Sequence, residues 1–378
     1  MMIDVTIDRD LLLKALTKLK SIAVTLGTIP ALSCVLINAI ADDAVVLRAT
    51  NLDVGLSITL PADVFAVGSL VVNVSTLYDV INTFKSKTNM RLRLDQKNKA
   101  LVTEGRSRVK ISTLSHEDFP EYYIPAGNIH AYVDSKSFLS ALNRVHFAAT
   151  TDETRTALFG VAMQLSKVDN IMTLVSTDAF RLNLAEIPAT VTSDIHDNVI
   201  AIVPKKAIVE LRKMFEPGDI TIELVKEADY QPSHLKITQK DTVFITKLVQ
   251  YKFPNWNTII PTSSPILVTL PKIEIINALK RVAVLSKEKS HSAYFSFSQN
   301  LLTIKAINDG TETGEEEIDI EYSMPNLRIG INVKYMQENL AVIEGSQFVL
   351  HMKDVMSPIL ITDTTNDSYK FVLMPVRN

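Results

Sequence analysis

One cysteine in 378 residues, Cys34, leaves no pair for an intramolecular disulfide, which suits a reducing compartment. Its setting, Leu32-Ser33-Cys34-Val35-Leu36, favours a small buried side chain over a nucleophile. No apolar run approaches the length needed to cross a bilayer. The opening Met1-Met2-Ile3-Asp4-Val5 has neither the basic flank nor the apolar core of a signal peptide. The expectation is a cytoplasmic protein.

Site chemistry is missing as well. The seven histidines are scattered, with no metal-ligand spacing, and no metalloprotease, P-loop, nucleophile-elbow or dinucleotide-binding motif occurs. Glu315-Glu316-Glu317 with Asp319 and Glu321 could gather a hard cation, but a solvated strand is the simpler account. Asp178 invites a catalytic reading until the repeat described below puts Asn51 in the equivalent place, which leaves a turn role. No enzyme, metal or cofactor is expected. A net charge of −3 does not advertise a nucleic-acid partner either.

What is present is repetition. The length suits two or three domains, and 47% hydrophobic with 21% charged residues suits globular cores. Val46-Leu47-Arg48-Ala49-Thr50-Asn51-Leu52-Asp53, running on to Leu60-Pro61-Ala62, matches Thr173-Leu174-Val175-Ser176-Thr177-Asp178-Ala179-Phe180, running on to Ile187-Pro188-Ala189. Thr50 to Thr177 and Pro61 to Pro188 are both separations of 127 positions. Leu302 to Asp309 is a weaker third copy. Each reads as a strand, a polar turn and a second strand. The joints Asp118-Phe119-Pro120 to Pro125 and Lys252-Phe253-Pro254 to Pro261 are stiff, proline-flanked connections. They place domains at 1–128, 129–264 and 265–378.

Each third carries two amphipathic helical patterns: Asp8 to Val24 and Val74 to Lys87, Asp134 to Ala149 and Pro204 to Glu216, Pro271 to Lys289 and Asn332 to Glu344. Asp8 and Asp134 suit N-caps, and Pro204 and Pro271 suit first turns. With alternating strands between them, the fold class is α+β, three similar domains of two helices backed by antiparallel sheets. The six stretches hold 18 Lys and Arg against 10 Asp and Glu, while the rest of the chain is acidic. Lys14, Lys18, Lys136, Arg144, Lys205, Lys206, Lys213, Lys280 and Arg281 fall opposite the apolar faces. A solvated outer face explains any one helix; the sum suits phosphate backbones rather than base edges. Zinc-finger, basic-zipper and RNP patterns are absent.

The tail Phe371-Val372-Leu373-Met374-Pro375-Val376-Arg377-Asn378 is a nearly unbroken apolar run. Chain ends are normally frayed and polar, so this one is expected to dock as a strand with its last residues across a surface. An edge strand blocked by its proline is the plain alternative.

In order and spacing the chain resembles the bacterial DNA polymerase III β subunit family, the DNA sliding clamps. The resemblance rests on Gly105-Arg106-Ser107-Arg108 with Ser112-Thr113-Leu114, Asp118-Phe119-Pro120, Thr177-Asp178 with Arg181-Leu182, Phe253-Pro254, Gly330-Ile331-Asn332-Val333 and Met374-Pro375-Val376-Arg377. It implies a head-to-tail homodimer closing a six-domain ring around duplex DNA, with the basic helices lining the hole and contacting DNA without reading sequence. It also implies a groove for peptide motifs of the DNA polymerase III catalytic subunit, the clamp loader and other replication or repair proteins. Carried over by position, that groove is Leu158, Thr177, Arg181, Leu182, Pro254, Ile259, Met356, Val372, Leu373, Met374, Pro375, Val376 and Arg377. The dimer contact pairs Val109 and Ile111 with Val284 and Leu285 of the other subunit. The implied location is the bacterial cytoplasm, at the nucleoid. The sequence departs from the family's Gly-His at Ala179-Phe180, from an arginine at Thr258 and from a serine at Pro358, which points to an altered peptide preference. A three-domain adaptor that binds proteins without encircling DNA is the competing reading.

Overall fold

The computed structural model describes residues 3–24, 27–41, 43–120, 126–193, 199–226, 231–284, 291–308 and 312–376. All six expected helices are there: α1 (Arg9–Ile22), α2 (Val74–Asn82), α3 (Ser135–Val145), α4 (Lys205–Leu211), α5 (Lys272–Ala283) and α6 (Val333–Val342). Asp8 caps α1 as expected, its carboxylate accepting the amides of Asp10 and Leu11 at 2.9 Å. Asn73 and Asn332 cap α2 and α6 in the same way.

The helices are shorter than the periodicity suggests. α2 ends at Asn82 rather than Lys87, because the Arg9 guanidinium takes the carbonyls of Ile81 and Asn82 at 3.2 and 3.0 Å. The chain then turns through Lys87 at φ 62°. Asp10 secures that turn by accepting from the Ser86 hydroxyl at 2.6 Å and the Lys87 amide at 3.0 Å. Within their true bounds the six helices carry 12 basic and 5 acidic residues, none of the basic ones on α2. The positive bias survives, concentrated on the first helix of each repeat.

The strands form two compact units, each with an antiparallel sheet of its own. One unit comprises Met1–Lys136, Thr190–His196 and Lys206–Leu248 and holds a 14-stranded sheet. The other comprises Ser137–Ala189, Asp197–Lys205 and Val249–Asn378 and holds an 8-stranded and a 4-stranded sheet. These units cut across the sequence repeat. The cause is strand pairing between successive copies, as continuous as pairing within a copy.

In the first unit the Val54–Pro61 strand of the first copy pairs with the Thr242–Lys247 strand of the second, Val54 opposite Thr246 and Ile58 opposite Thr242. In the second unit the Arg181–Pro188 strand pairs with the Tyr369–Leu373 strand, Arg181 opposite Leu373 and Ala185 opposite Tyr369. Both partners have moved by the same 127 positions, so the repeat is kept in register as well as in sequence. The turns agree too: Leu52 and Ala179 both sit in the left-handed region, at φ 75° and 77°.

The tail docks as a strand, and it is interior rather than the edge strand of the plain alternative. Tyr369–Leu373 lies between the Arg181–Pro188 and Ile359–Asp363 strands. Beyond it the Met374 amide donates to the Phe180 carbonyl at 2.8 Å and the Val376 amide to the Gly330 carbonyl at 2.9 Å. Gly330 is required by this approach, since a Cβ there would lie 2.8 Å from the Val376 carbonyl oxygen.

Hydrogen bonds from Ser86, Arg9 and the Lys87 amide hold the Asp10 carboxyl down at about 2. A depressed carboxyl stabilises the fold above its ordinary range and loses that contribution as the pH falls through the folded value. Thermal melts between roughly pH 4 and pH 2 therefore fall more steeply for the wild type than for Asp10→Asn. Parallel curves contradict the assignment.

Candidate functional site

The apolar residues expected to form a groove divide into a buried floor and an open rim. Leu182 and Val372 belong to a cluster with Ala162, Val175, Leu184, Ile202, Phe253, Trp256 and Leu360, against which Leu158 and Ile259 pack half-buried. Leu373 is buried beside them along the strand. Met374, Pro375 and Val376 are half-buried, and Pro254 and Met356 are exposed. Open apolar rims over a packed floor suit peptide anchors. Arg377 lies outside the described residues.

Thr177 and Arg181 are not rim residues. Arg181 is 7% exposed. Its Nε donates to Asp178 at 3.0 Å, a terminal nitrogen pairs with Glu338, and the other donates to the Phe147 carbonyl at 2.6 Å. The guanidinium carbon lies 4.1 Å from the centre of the Tyr335 ring. Burial and the Asp178 charge raise the Tyr335 pKa. Thr177 accepts the Ala179 amide at 3.1 Å and donates to the Arg181 carbonyl at 2.6 Å, while Asp178 accepts the amides of Phe180 and Arg181 at 3.0 Å. These bonds hold Ala179 left-handed and leave Phe180 exposed, its carbonyl tied to Met374. Sequence reasoning missed Tyr335, Glu338 and Trp256, since α6 showed no charge bias and Trp256 was read only as part of a linker.

The basic set sorts by exposure. Lys14, Lys136, Lys206, Lys213, Lys280 and Arg281 are exposed, and Lys18 and Lys205 are half-buried. Lys213 lies past the end of α4, near Glu210 at 3.8 Å. Arg281 pairs with Glu316 at 2.5 Å. The Lys205 ammonium donates to the carbonyls of Ala149 and Thr150 at 3.1 and 3.4 Å, and burial lowers its pKa.

Arg144 differs from the rest of the basic set. It is 6% exposed, ion-paired with Glu344 at 2.5 Å, and stacked 4.0 Å from the centre of the Tyr369 ring. Helical spacing put it opposite the apolar face, but it is covered by residues some two hundred positions away. Its guanidinium is taken up by Glu344 and the Tyr369 ring.

For the dimer contact, Val109 is half-buried and Ile111 is 6% exposed on the Ser107–Leu114 strand. That strand pairs fully with Lys99–Glu104, but with Gly68–Asn73 only at Thr113 and Leu114. Its 107–112 stretch therefore keeps one open side among the described residues. Val284, which caps α5, is 61% exposed. Leu285 lies outside the described residues. Among those residues no group of His, Cys, Asp or Glu could hold a metal, and no helix is long and apolar enough to cross a membrane.

Fold and surfaces together define a class: a chain of three similar repeats with an apolar groove and basic helix faces. Family models for the N-terminal, central and C-terminal domains of the DNA polymerase III beta subunit match residues 3–123, 132–255 and 257–377. The beta sliding clamp of Pseudomonas aeruginosa is 30% identical over 375 residues, covering 98% of this chain and 99% of that one. The clamp of Caulobacter vibrioides is 29% identical over the same coverage. The crystal structure of the Pseudomonas aeruginosa subunit superposes with a TM-score of 0.92 over 99% of this chain and 100% of that one, at 30% identity. A second Pseudomonas aeruginosa structure, bound to griselimycin, gives a TM-score of 0.91 over 100% of both chains at 30% identity. The chain belongs to the DNA polymerase III beta subunit family, the beta sliding clamps, which are non-catalytic processivity factors.

Removing Arg181 strands Asp178 and Glu338 in largely buried surroundings. Arg181→Ala is expected to cost about 3 kcal/mol in denaturant unfolding, and Arg181→Lys to recover only part of that, since an ammonium cannot reproduce the planar fork. A loss below roughly 1 kcal/mol contradicts the network.

Proposed function

We propose that the chain acts as a DNA sliding clamp by pairing head to tail with a second copy into a ring that encloses duplex DNA. The observation that carries this reading is a pair of unfilled strand edges. Each internal joint mates the outer strand of one copy's three-strand meander with the last hairpin strand of the next copy. Two strands of those kinds remain over. In the first copy it is Ser107–Leu114, closed onto its neighbour at Glu104 and Ser107 as the second copy's hairpin is closed at Gln239 and Thr242. In the third copy it is Glu312–Asp319, which among the described residues pairs only with Leu301–Asn308.

Chemistry favours the match. Arg106, Arg108 and Lys110 are exposed around the first edge, and Glu315, Glu317 and Asp319 along the second. An unfilled edge is a pairing site, and a heterologous contact either closes a ring or grows a filament. Val109 and Ile111 lie on the strand that one subunit brings to this joint, and Val284 of the other subunit is exposed at the end of its α5. Two chains with domains at 1–128, 129–264 and 265–378 then give six domains around one hole.

In that ring Lys14, Lys18, Lys136, Lys205, Lys206, Lys213, Lys280 and Arg281 supply a diffuse cationic wall. Duplex DNA carries one charge per roughly 1.7 Å of axis, so such a wall is attracted at every register and favours none. The groove over Leu182 and Val372 takes the apolar motifs of the replicative polymerase, the clamp loader and other replication or repair proteins, in the cytoplasm at the nucleoid. Phe180 at its edge shifts the preference toward motifs offering an aromatic or large aliphatic anchor. An adaptor that never encircles DNA leaves both open edges and the charge bias without a purpose.

Val109→Asp sets a carboxylate in the joint without touching the core. Sedimentation at micromolar concentration is expected to show a wild-type dimer and a folded monomeric variant. A wild-type monomer, or a variant that remains dimeric, contradicts the joint.

A further inference from the structure

A cleft of about 150 Å³ lies between α1 and the turn of the His234–Lys247 hairpin. Its charged lining is Lys14, Lys18, Lys240, Glu216 and Asp241, with Gln239, Thr59 and Thr242 beside them. Glu216 forms an ion pair with Lys14, and the charges of Lys18 and Lys240 also act on its carboxylate. One of the three lysines lining the cleft is thus paired with Glu216, the other two share the cleft with it, and Asp241 is the second acid.

The main chain of Glu216 is fixed independently of that carboxylate. Its amide donates to the Gln239 side-chain oxygen at 2.9 Å, and its carbonyl accepts from the Gln239 side-chain nitrogen at 2.7 Å and the Ser135 hydroxyl at 2.5 Å. The side chain itself remains half-exposed. A carboxylate held firmly among lysines, yet open to water, does little for stability, because surface ion pairs contribute about 0–1 kcal/mol. It does a great deal to the local field, since it cancels cations that would otherwise hold an anion.

We propose that this cleft is a phosphate subsite for the duplex backbone, and that Glu216 is its built-in competitor. The inference rests on the DNA-enclosing reading above. When a phosphate leaves Lys14, Lys18 or Lys240, Glu216 takes its place, so the lysines are never left uncompensated between one phosphate and the next. The carboxylate thereby weakens each contact and shortens its life, which is what a ring that must slide requires. The ligand class is a phosphodiester.

The test measures binding of the full-length protein to a short labelled duplex by fluorescence anisotropy across a salt titration. Glu216→Gln keeps shape and main-chain bonds while removing the charge. It is expected to bind roughly fivefold tighter at low salt, with the slope of log K against log salt steeper by about 1, one further phosphate contact. Adding Lys240→Ala to Glu216→Gln is expected to return the affinity toward wild type. Lys206→Ala, outside the cleft, is the control for the DNA-facing wall. If Glu216→Gln binds like wild type while Lys206→Ala binds more weakly, the competitor is overturned and the enclosing wall stands. If neither variant changes binding, the DNA-facing reading fails and the subsite with it.

Discussion

Backbone pairing between one repeat and the next is the constraint on which the rest depends. Sheet joints of this kind draw on main-chain donors and acceptors that every residue possesses, so they outlast changes of side chain that blur a repeat in sequence. The two internal joints keep one register despite sharing few residues: Val54 faces Thr246 in one, Arg181 faces Leu373 in the other. The same pairing that builds each unit also leaves the chain with one mating edge of each kind. In the proposed ring, self-association follows from the construction of the chain rather than from an added interface.

The second joint has been further elaborated. Arg181 begins its strand and joins Asp178, Glu338, Tyr335 and Phe147 into one network, and Arg144 does the same with Glu344 and Tyr369. Both arginines bury their guanidinium groups against aromatic rings and pair with carboxylates, the setting in which arginine outperforms lysine. Their effect is positional. Arg181 braces the Ala179-Phe180 turn, to which the Met374 amide is tied, so the rim of the proposed groove is built before any peptide arrives. A pre-formed rim spares a binding partner the entropy of ordering it.

Much of this was legible in the sequence where the signal is local or periodic. The 127-residue spacing, six amphipathic stretches and the apolar tail come from patterns that local physics enforces. What could not be read depends on distant partners. Lys87 fits the helical period of α2, yet Arg9 closes that helix earlier from 72 positions away. Arg144 has the spacing of an exposed cation, yet Glu344 and Tyr369 cover it. Thr177 and Arg181 were expected in the groove wall and are buried beneath it, because similarity of position does not say whether a residue forms a wall or braces one. Glu216 was counted only as a charge to be subtracted, and its lysine neighbours become apparent only once the hairpin carrying Lys240 is folded beside α1.

Topological enclosure is the central claim, and it is tested most directly by the lifetime of the assembled protein on covalently closed circular duplex against the same circle cut once. Enclosure predicts long retention on the closed circle, insensitive to moderate salt, and rapid loss from the free ends after cutting. Equal lifetimes on the two, or a lifetime on the closed circle that collapses with salt, would mean that contacts rather than closure hold the DNA.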